Sequence, residues 1–110
     1  MAPVTKWQSI VTDDYSHCYI CGRRGWLEKH HICGGASRSQ SEHDGLYVML
    51  CHYCHNEPPN GVHHNIIRQR TLQAIGQKAW QEVYNKTAAE FVAVYGRNYI
   101  EEAEAYGITD

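Results

Sequence analysis

Two Cys-x-x-Cys pairs are the residues whose type and spacing most directly indicate chemistry in this sequence. Cys18 and Cys21 form the first pair, and Cys51 and Cys54 form the second, with 29 residues between them. Each such turn directs two thiolates at one point, so two turns supply a closed tetrahedral Zn²⁺ site. Redox-active pairs are the alternative, but the chain lacks the βαβ pattern of thioredoxin-like proteins. The spacing predicts a structural zinc site that organises the fold and does no chemistry itself.

Histidines accompany these cysteines, because every Cys and His of the chain lies within residues 17–64. His30 and His31 end an apolar segment, and His55 directly follows Cys54. Folding both Cys pairs onto one ion brings these histidines together, which predicts a second metal site beside the first. Neighbouring strand residues point to opposite sides, so His30 and His31 are expected to have different tasks. Metal-assisted hydrolysis needs such a division, with one group holding the ion and another taking a proton from water.

The remaining Cys and His residues have simpler interpretations. A small buried residue is the expected role of the fifth cysteine, Cys33. Exposed or structural positions are expected for the other four histidines, which are His17, His43, His52 and His64.

Length and composition limit the class of protein. A chain of 110 residues has the size of one domain with a modest core. Its 43% hydrophobic and 20% charged residues are ordinary for a globular chain and exclude intrinsic disorder. No apolar run approaches the roughly 20 residues that span a bilayer, and the first residues do not resemble a signal peptide. We therefore expect a cytoplasmic protein, whose thiols stay reduced.

Charge is unevenly distributed, although the net charge is only −2. Residues 15–80 hold seven Lys/Arg against four acids, whereas residues 81–110 hold two against six. Attraction for phosphate is therefore expected in the Cys/His segment, and the acidic end would make protein contacts or favour solubility. Four basic residues near the histidines are candidates for binding backbone phosphates: Arg23, Arg24, Lys29 and Arg38. A solvated rim is the alternative for each of these charges.

The elements that position these residues predict a small α+β domain. Segments 26–32 and 46–50 have strand-like composition and flank a polar loop over 34–45. We expect an N-terminal arm at 1–16, a zinc-stapled core at 17–68 and a C-terminal helical extension at 69–110 that packs on this core.

The C-terminal extension shows helical signals. Apolar residues recur at helical spacing over 62–83, with a change of phase that predicts a kink or two abutting helices between Ile66 and Leu72. A capping-box sequence at 87–90 predicts a second helix that ends near Gly96, and a final turn or helix is expected within 98–106. Aromatic residues of this region are expected to form either a dimer interface or the domain's own core: Trp80, Tyr84, Phe91, Tyr95 and Tyr99.

In combination, these motifs resemble a known family. A Cys-x-x-Cys turn, a His pair followed by Ile and Gly-Gly, and Leu-Cys-x-x-Cys-His resemble the HNH, or His-Me finger, nucleases, with zinc knuckles similar to those of phage endonuclease VII-type enzymes. The stretch 50–56, with Gly61-Val62-His63 further along, resembles phage and prophage HNH proteins associated with recombination. The resemblance covers residues 18–64 at the level of motifs and the C-terminal helices more loosely.

The resemblance implies a ββα-metal core and a metal-dependent DNA endonuclease that hydrolyses phosphodiester bonds to leave a 5′-phosphate and a 3′-hydroxyl. It implies a role in phage-type DNA recombination or processing in the host cytoplasm. Because nothing in the sequence resembles a dedicated sequence-reading helix, we expect structure-directed or weakly specific cutting, with branched or single-stranded DNA among the substrates. A homodimer is a further expectation, since junction-resolving nucleases make paired cuts.

Position by position, the resemblance implies that His31 is the general base and that His30 is a metal ligand in a place where the family usually has Asp. His55 matches the ligand after the last Cys, and His63 is implied as a further ligand, with His64 as the alternative. The family's middle Asn, which orients the base, is missing before the second strand.

Asp44-Gly45-Leu46 occupies the region of that Asn, so a backbone carbonyl or Asp44 is expected to orient His31 instead. Histidine in place of Asp makes the site rich in nitrogen, which favours Zn²⁺, Ni²⁺, Co²⁺ or Mn²⁺ over Mg²⁺.

Two other functions fit the same residues. A non-catalytic zinc module that binds nucleic acid or protein is favoured by the missing Asn and opposed by the His pair and His55. A toxin or homing-type nuclease would differ mainly in its partner, which would be an immunity protein or a long specific site.

Overall fold

The computed structural model describes residues 8–108. Within them lie a two-stranded sheet and five α-helices. The strands are β1 (Glu28–His31) and β2 (Tyr47–Leu50). The helices are α1 (Arg38–Asp44), α2 (His52–Asn56), α3 (Ile66–Val83), α4 (Ala88–Tyr95) and α5 (Tyr99–Ala105). Short 3₁₀ turns lie at Gly35–Ser37 and Val62–His64. The α+β class is therefore confirmed, and none of the helices within 8–108 is long and apolar enough to cross a membrane.

The sheet is antiparallel and places the His pair opposite β2. His30 pairs with Val48 and His31 with Tyr47. Both predicted strand segments are confirmed, although each strand is only four residues long. Residues 8–16 of the predicted arm lie against the start of β2, because the Ser9 hydroxyl donates to the Tyr47 carbonyl at 2.7 Å. The rest of that arm lies outside the described residues.

Helix α1 and the 3₁₀ turn before it occupy most of the segment 34–45, so the expectation of a polar loop there is wrong. Its buried residues are polar, Ser41 and Asp44, and therefore leave no apolar period in the sequence. The Ser41 hydroxyl donates to the Leu46 carbonyl at 2.6 Å and accepts from the Cys33 amide at 3.2 Å. These two bonds join α1 to the residues that flank β1 and β2.

Helix α3 runs without interruption from Ile66 to Val83, so the expectation of two abutting helices between Ile66 and Leu72 is wrong. The interruption lies earlier, at Asn65, whose side chain accepts from the Arg68 amide and caps the helix. Ile66 and Ile67 are 41% and 44% exposed and do not belong to the buried face, which explains the apparent change of phase. The capping box that starts α4 and the end of α4 at Gly96 are both confirmed.

The C-terminal aromatic residues belong to the domain's own core. The rings of Trp80 and Phe91 lie 5.3 Å apart, and Tyr95 stacks on Phe91 at 4.6 Å. Helix α3 closely approaches the residue after β1 at Gly76, where a Cβ atom would lie 2.9 Å from Cγ2 of Ile32. The three C-terminal helices thus pack on the sheet through α3.

Asp44, at the end of α1, is the polar centre of this packing. Its Oδ2 accepts from Trp80 Nε1 at 3.0 Å and from the Tyr95 hydroxyl at 2.7 Å. Its backbone carbonyl accepts from the Tyr84 hydroxyl at 2.8 Å. Burial acts to raise the pKa of Asp44, but hydrogen bonds from Tyr95 and Gln40 hold it below the usual value. Asp44 therefore binds α1 to α3 and α4 as a carboxylate.

Asp44→Ala is expected to lower the free energy of unfolding by about 3 kcal/mol, because it leaves the Trp80 indole N–H and the Tyr95 hydroxyl buried without an acceptor. Urea unfolding of the variant checks this value. Glu82→Gln changes an exposed carboxylate and serves as the matched control. Equal stability of both variants would contradict the role given to Asp44.

Candidate metal centres and catalytic site

The four cysteines of the two Cys-x-x-Cys pairs converge as predicted. Their sulfur atoms all lie within 4.8 Å of one another, and all except that of Cys21 belong to buried residues. Cys21 Sγ and Cys51 Sγ are 3.8 Å apart, too far for a disulfide. Ligand sulfurs about 2.3 Å from a tetrahedral Zn²⁺ stand about 3.8 Å apart. The cluster thus has the dimensions of a structural metal site, consistent with zinc.

Backbone hydrogen bonds build the first turn of this cluster and attach it to β2. The Gly22 amide donates to the Cys18 carbonyl at 2.8 Å, and the Tyr19 amide donates to Met49 at 2.9 Å. Burial acts to raise the pKa of the Cys18 thiol, but hydrogen bonds from the backbone of Cys21 and Cys51 lower it to about 6. Burial and the neighbouring thiols raise the pKa of Cys54, so the four sulfurs would ionise together only with a cation at the cluster.

Cys33 lies outside the cluster and is buried. Burial raises the pKa of its thiol to about 12, and the nearby Asp44 carboxylate adds to this effect. The side chain is therefore a neutral thiol in the core, as expected from the sequence.

Three histidines form a second cluster, made of His30 on β1, His55 on α2 and His63 in the 3₁₀ turn Val62–His64. One ring nitrogen of each lies within 4.8 Å of the others, and Nε2 of His55 is 3.0 Å from Nε2 of His63. Two metal ligands at about 2.1 Å and at right angles to each other stand about 3 Å apart. His64 is exposed and is not part of the cluster.

The protonation of the cluster also suits a cation. Burial, and then the neighbouring His55 and His63, lower the pKa of His30 to about 3, so its ring is neutral with a free lone pair. Nδ1 of His55 lies 2.7 Å from a carboxylate oxygen of Glu28. Because Nδ1 donates its proton there, the lone pair of His55 lies on Nε2 and faces His63. Two nitrogens 3.0 Å apart need a proton or a cation between them.

His31 points away from this cluster, towards α1, as the alternation along a strand predicts. Its Nε2 lies 2.7 Å from Oε1 of Glu42, which also accepts from Lys29 at 3.2 Å. Burial acts to raise the pKa of Glu42, but the bonds from His31 and Lys29 hold it below the usual value. Glu42 is the group that orients His31. Asp44, which the sequence suggested for this task, faces Trp80 and Tyr95 instead.

The four basic candidates have different surroundings. Lys29 is paired with Glu42 and lies 4.3 Å from the centre of the Tyr47 ring. Arg38 lies with Ser39 at the start of α1 and lines an open recess of about 410 Å³ together with His31, Glu42 and His43. Arg23 and Arg24 are exposed in the loop before β1. Among residues 8–108, Arg23, Arg24 and Arg38 make no ion pair.

Sequence reasoning missed two carboxylates of this region, Glu28 and Glu42. Glu28 begins β1 and contacts His52 as well as His55, and Glu42 lies on the unexpected helix α1. Glu28 precedes His30 by two residues, so it shares a face with that ligand, and this spacing was a usable signal. Glu42 left no such signal because its contact with His31 depends on α1.

Fold and site together define a small α+β protein with a four-cysteine cluster that could hold a metal ion and a three-histidine cluster beside a His–Glu pair. No protein-family model, no curated protein and no solved structure matches this chain.

Cys51→Ser is expected to abolish metal binding at the cysteine cluster and to lower the melting temperature by more than 10 °C, because structural zinc contributes directly to folding. Elemental analysis of the purified protein and a thermal melt measure the two effects. Cys33→Ala is the matched control, since it removes a buried thiol outside the cluster and should retain the metal. Equal metal content in both variants would contradict a structural metal site at the cysteine cluster.

Proposed function

We propose that this protein is a metal-dependent DNA endonuclease of the HNH type that hydrolyses phosphodiester bonds with structure-directed or weakly specific cutting. The observation that carries the proposal is that two consecutive residues of β1, His30 and His31, face two different chemical environments. His30 belongs to a cluster of three ring nitrogens that suits a cation, and His31 belongs to a hydrogen-bonded pair with Glu42. A metal ligand and a proton acceptor are the two groups that phosphodiester hydrolysis requires.

His31 takes the role of general base. Its Nε2 proton is donated to Glu42, so the lone pair lies on Nδ1. Among the described residues Nδ1 has no hydrogen-bond partner and can therefore accept a proton from a water molecule. The resulting imidazolium is stabilised by the ionised Glu42, and Lys29 keeps that carboxylate ionised.

The three-histidine cluster takes the role of cation site. A divalent cation held by His30, His55 and His63 would supply stabilisation of the negative charge that develops on the phosphate during hydrolysis. Glu28 fixes the ring of His55 with Nε2 directed into the cluster. With three nitrogens and no carboxylate among the ligands, the site favours Zn²⁺, Ni²⁺, Co²⁺ or Mn²⁺ over Mg²⁺.

Phosphate binding is assigned to Arg38 and Ser39. Both are exposed and line the recess that contains His31 and Glu42. A guanidinium can hold two phosphate oxygens at once, which places the scissile phosphate beside the base. Lys29, in contrast, acts on Glu42 and is not required to contact DNA.

The motif resemblance to HNH nucleases supports the same assignment, including a place in phage-type DNA recombination or processing. The family's orienting Asn is missing, and the Glu42 carboxylate supplies a hydrogen-bond acceptor for the base in its place. This substitution removes the main argument for a non-catalytic zinc module.

His31→Ala is expected to lower the rate of DNA cleavage by at least about 10²-fold, because general-base catalysis contributes that much. Nicking of plasmid and of branched DNA, measured with Mn²⁺, Ni²⁺, Zn²⁺ and Mg²⁺ in turn, checks this result. His64→Ala, an exposed neighbour of the cluster, is the control and should cleave normally. Undiminished cleavage by folded His31→Ala would exclude this base. If the parent protein fails to cut DNA with every one of these ions, the result favours the non-catalytic zinc module.

Glu42→Ala is expected to lower kcat by about 10²-fold with little change in KM, because the ring of His31 loses its orientation while the phosphate ligands remain. Glu42→Gln should recover part of the loss, since the amide oxygen still accepts from Nε2. Glu101→Ala, an exposed acid on α5, is the control. An equal kcat for Glu42→Ala and the parent would show that His31 needs no orienting carboxylate.

A further inference from the structure

Trp26 is the most exposed large apolar side chain among residues 8–108, with 81% of its surface accessible. It lies in the loop between the first Cys-x-x-Cys turn and β1, where residues 21–26 are all exposed. Most of the surface of a tryptophan side chain is normally buried, because its ring has a large apolar area. Here the indole packs in no ring pair and makes no hydrogen bond with the described residues.

The exposed loop that ends at Trp26 carries two positive charges. Arg23 and Arg24 precede it in the same exposed loop and make no ion pair within residues 8–108. No acid occurs between Tyr15 and Leu27. An exposed aromatic face beside two uncompensated guanidinium groups complements a polyanion that also carries flat apolar rings.

The start of the loop is attached to the cysteine cluster. The Cys18 amide donates to the Arg23 carbonyl at 2.8 Å, which attaches the loop to the cysteine cluster. Gly25 has φ +116°, a conformation that L side chains rarely adopt, and this residue sets the direction of the chain at Trp26. The exposed ring therefore stands on a turn whose first part is attached to the cysteine cluster.

The loop leads directly to the proposed catalytic residues. Trp26 precedes His30 by four residues, so their Cα atoms are at most about 14 Å apart. That distance corresponds to about four steps of a stacked DNA strand. A strand held at Trp26 can therefore continue to the three-histidine cluster.

We infer that Trp26, together with Arg23 and Arg24, is a stacking site for an unpaired nucleobase of the DNA strand that is cut. The inference rests on the proposed nuclease function and names the feature of the substrate that this site recognises. Bases inside a duplex have both faces covered by their neighbours, so an indole ring can stack only on a base that is unpaired, flipped or at an end. The two arginines bind the flanking phosphates.

Binding of a labelled single-stranded oligodeoxynucleotide of about 12 residues, compared with a relaxed, covalently closed duplex circle that has no ends, tests the inference. The metal-loaded full chain carries His31→Ala so that the DNA stays intact. In this background Trp26→Ala is expected to weaken single-strand binding about 5- to 100-fold and duplex binding less than about 2-fold. Trp26→Phe keeps an aromatic face and should retain most of the affinity. Tyr106→Ala, at a 49% exposed aromatic near the acidic end of α5, is the control.

Several outcomes would overturn the stacking site: unchanged single-strand affinity of Trp26→Ala, an equal loss on duplex and single strand, or no binding of either DNA by the parent. These outcomes are separate from a failure of the nuclease proposal, because binding is measured without cleavage. A chain that binds single strands through Trp26 but cuts no DNA would retain the stacking site and lose the nuclease. A parent chain that cuts DNA, but whose binding of single strands does not depend on Trp26, would retain the nuclease and lose the stacking site.

Discussion

The convergence of four cysteine sulfurs on one point is the constraint on which the rest of this structure depends. Two strands of four residues are too short to form a stable sheet alone. The cysteine cluster joins the loop before β1 to the residues that directly follow β2, and the Tyr19 amide extends this junction to Met49. A cation at the cluster would thus hold both strands in register from one end. His55 follows Cys54 immediately, so the same junction brings it to His30.

Helix α1 connects the packed core to the candidate catalytic residues. Asp44 and Glu42 are two positions apart, which turns them about 200° from each other around the helix axis. Asp44 faces Trp80 and Tyr95 in the core, and Glu42 faces His31. Hydrogen bonds on the buried side therefore set the rotation of the helix and, through it, the direction of the Glu42 carboxylate. The site and the core are not independent here.

The alternation of β1 separates two kinds of histidine chemistry. His30 is buried and neutral beside two further imidazoles, whereas His31 is partly exposed beside an ionised carboxylate. Neutral imidazole nitrogens with free lone pairs suit a metal cation, and a carboxylate partner suits a residue that gains a proton. Adjacent residues acquire these opposite surroundings because the two faces of the strand meet different elements, α2 on one side and α1 on the other.

The sequence by itself determined the ligand set of the cysteine cluster, both strands, the α4 capping box and the opposite directions of His30 and His31. These features depend on short spacings and on the two-residue period of a strand, which are local. Tertiary structure alone decided that Arg38–Asp44 is a helix, since its buried face is polar and leaves no periodic signal. It also decided the choice of His63 over His64 and the pairing of His31 with Glu42. Those contacts join residues of separate elements, and their geometry exists only once α1, α2 and the 3₁₀ turn at Val62–His64 have packed around the sheet.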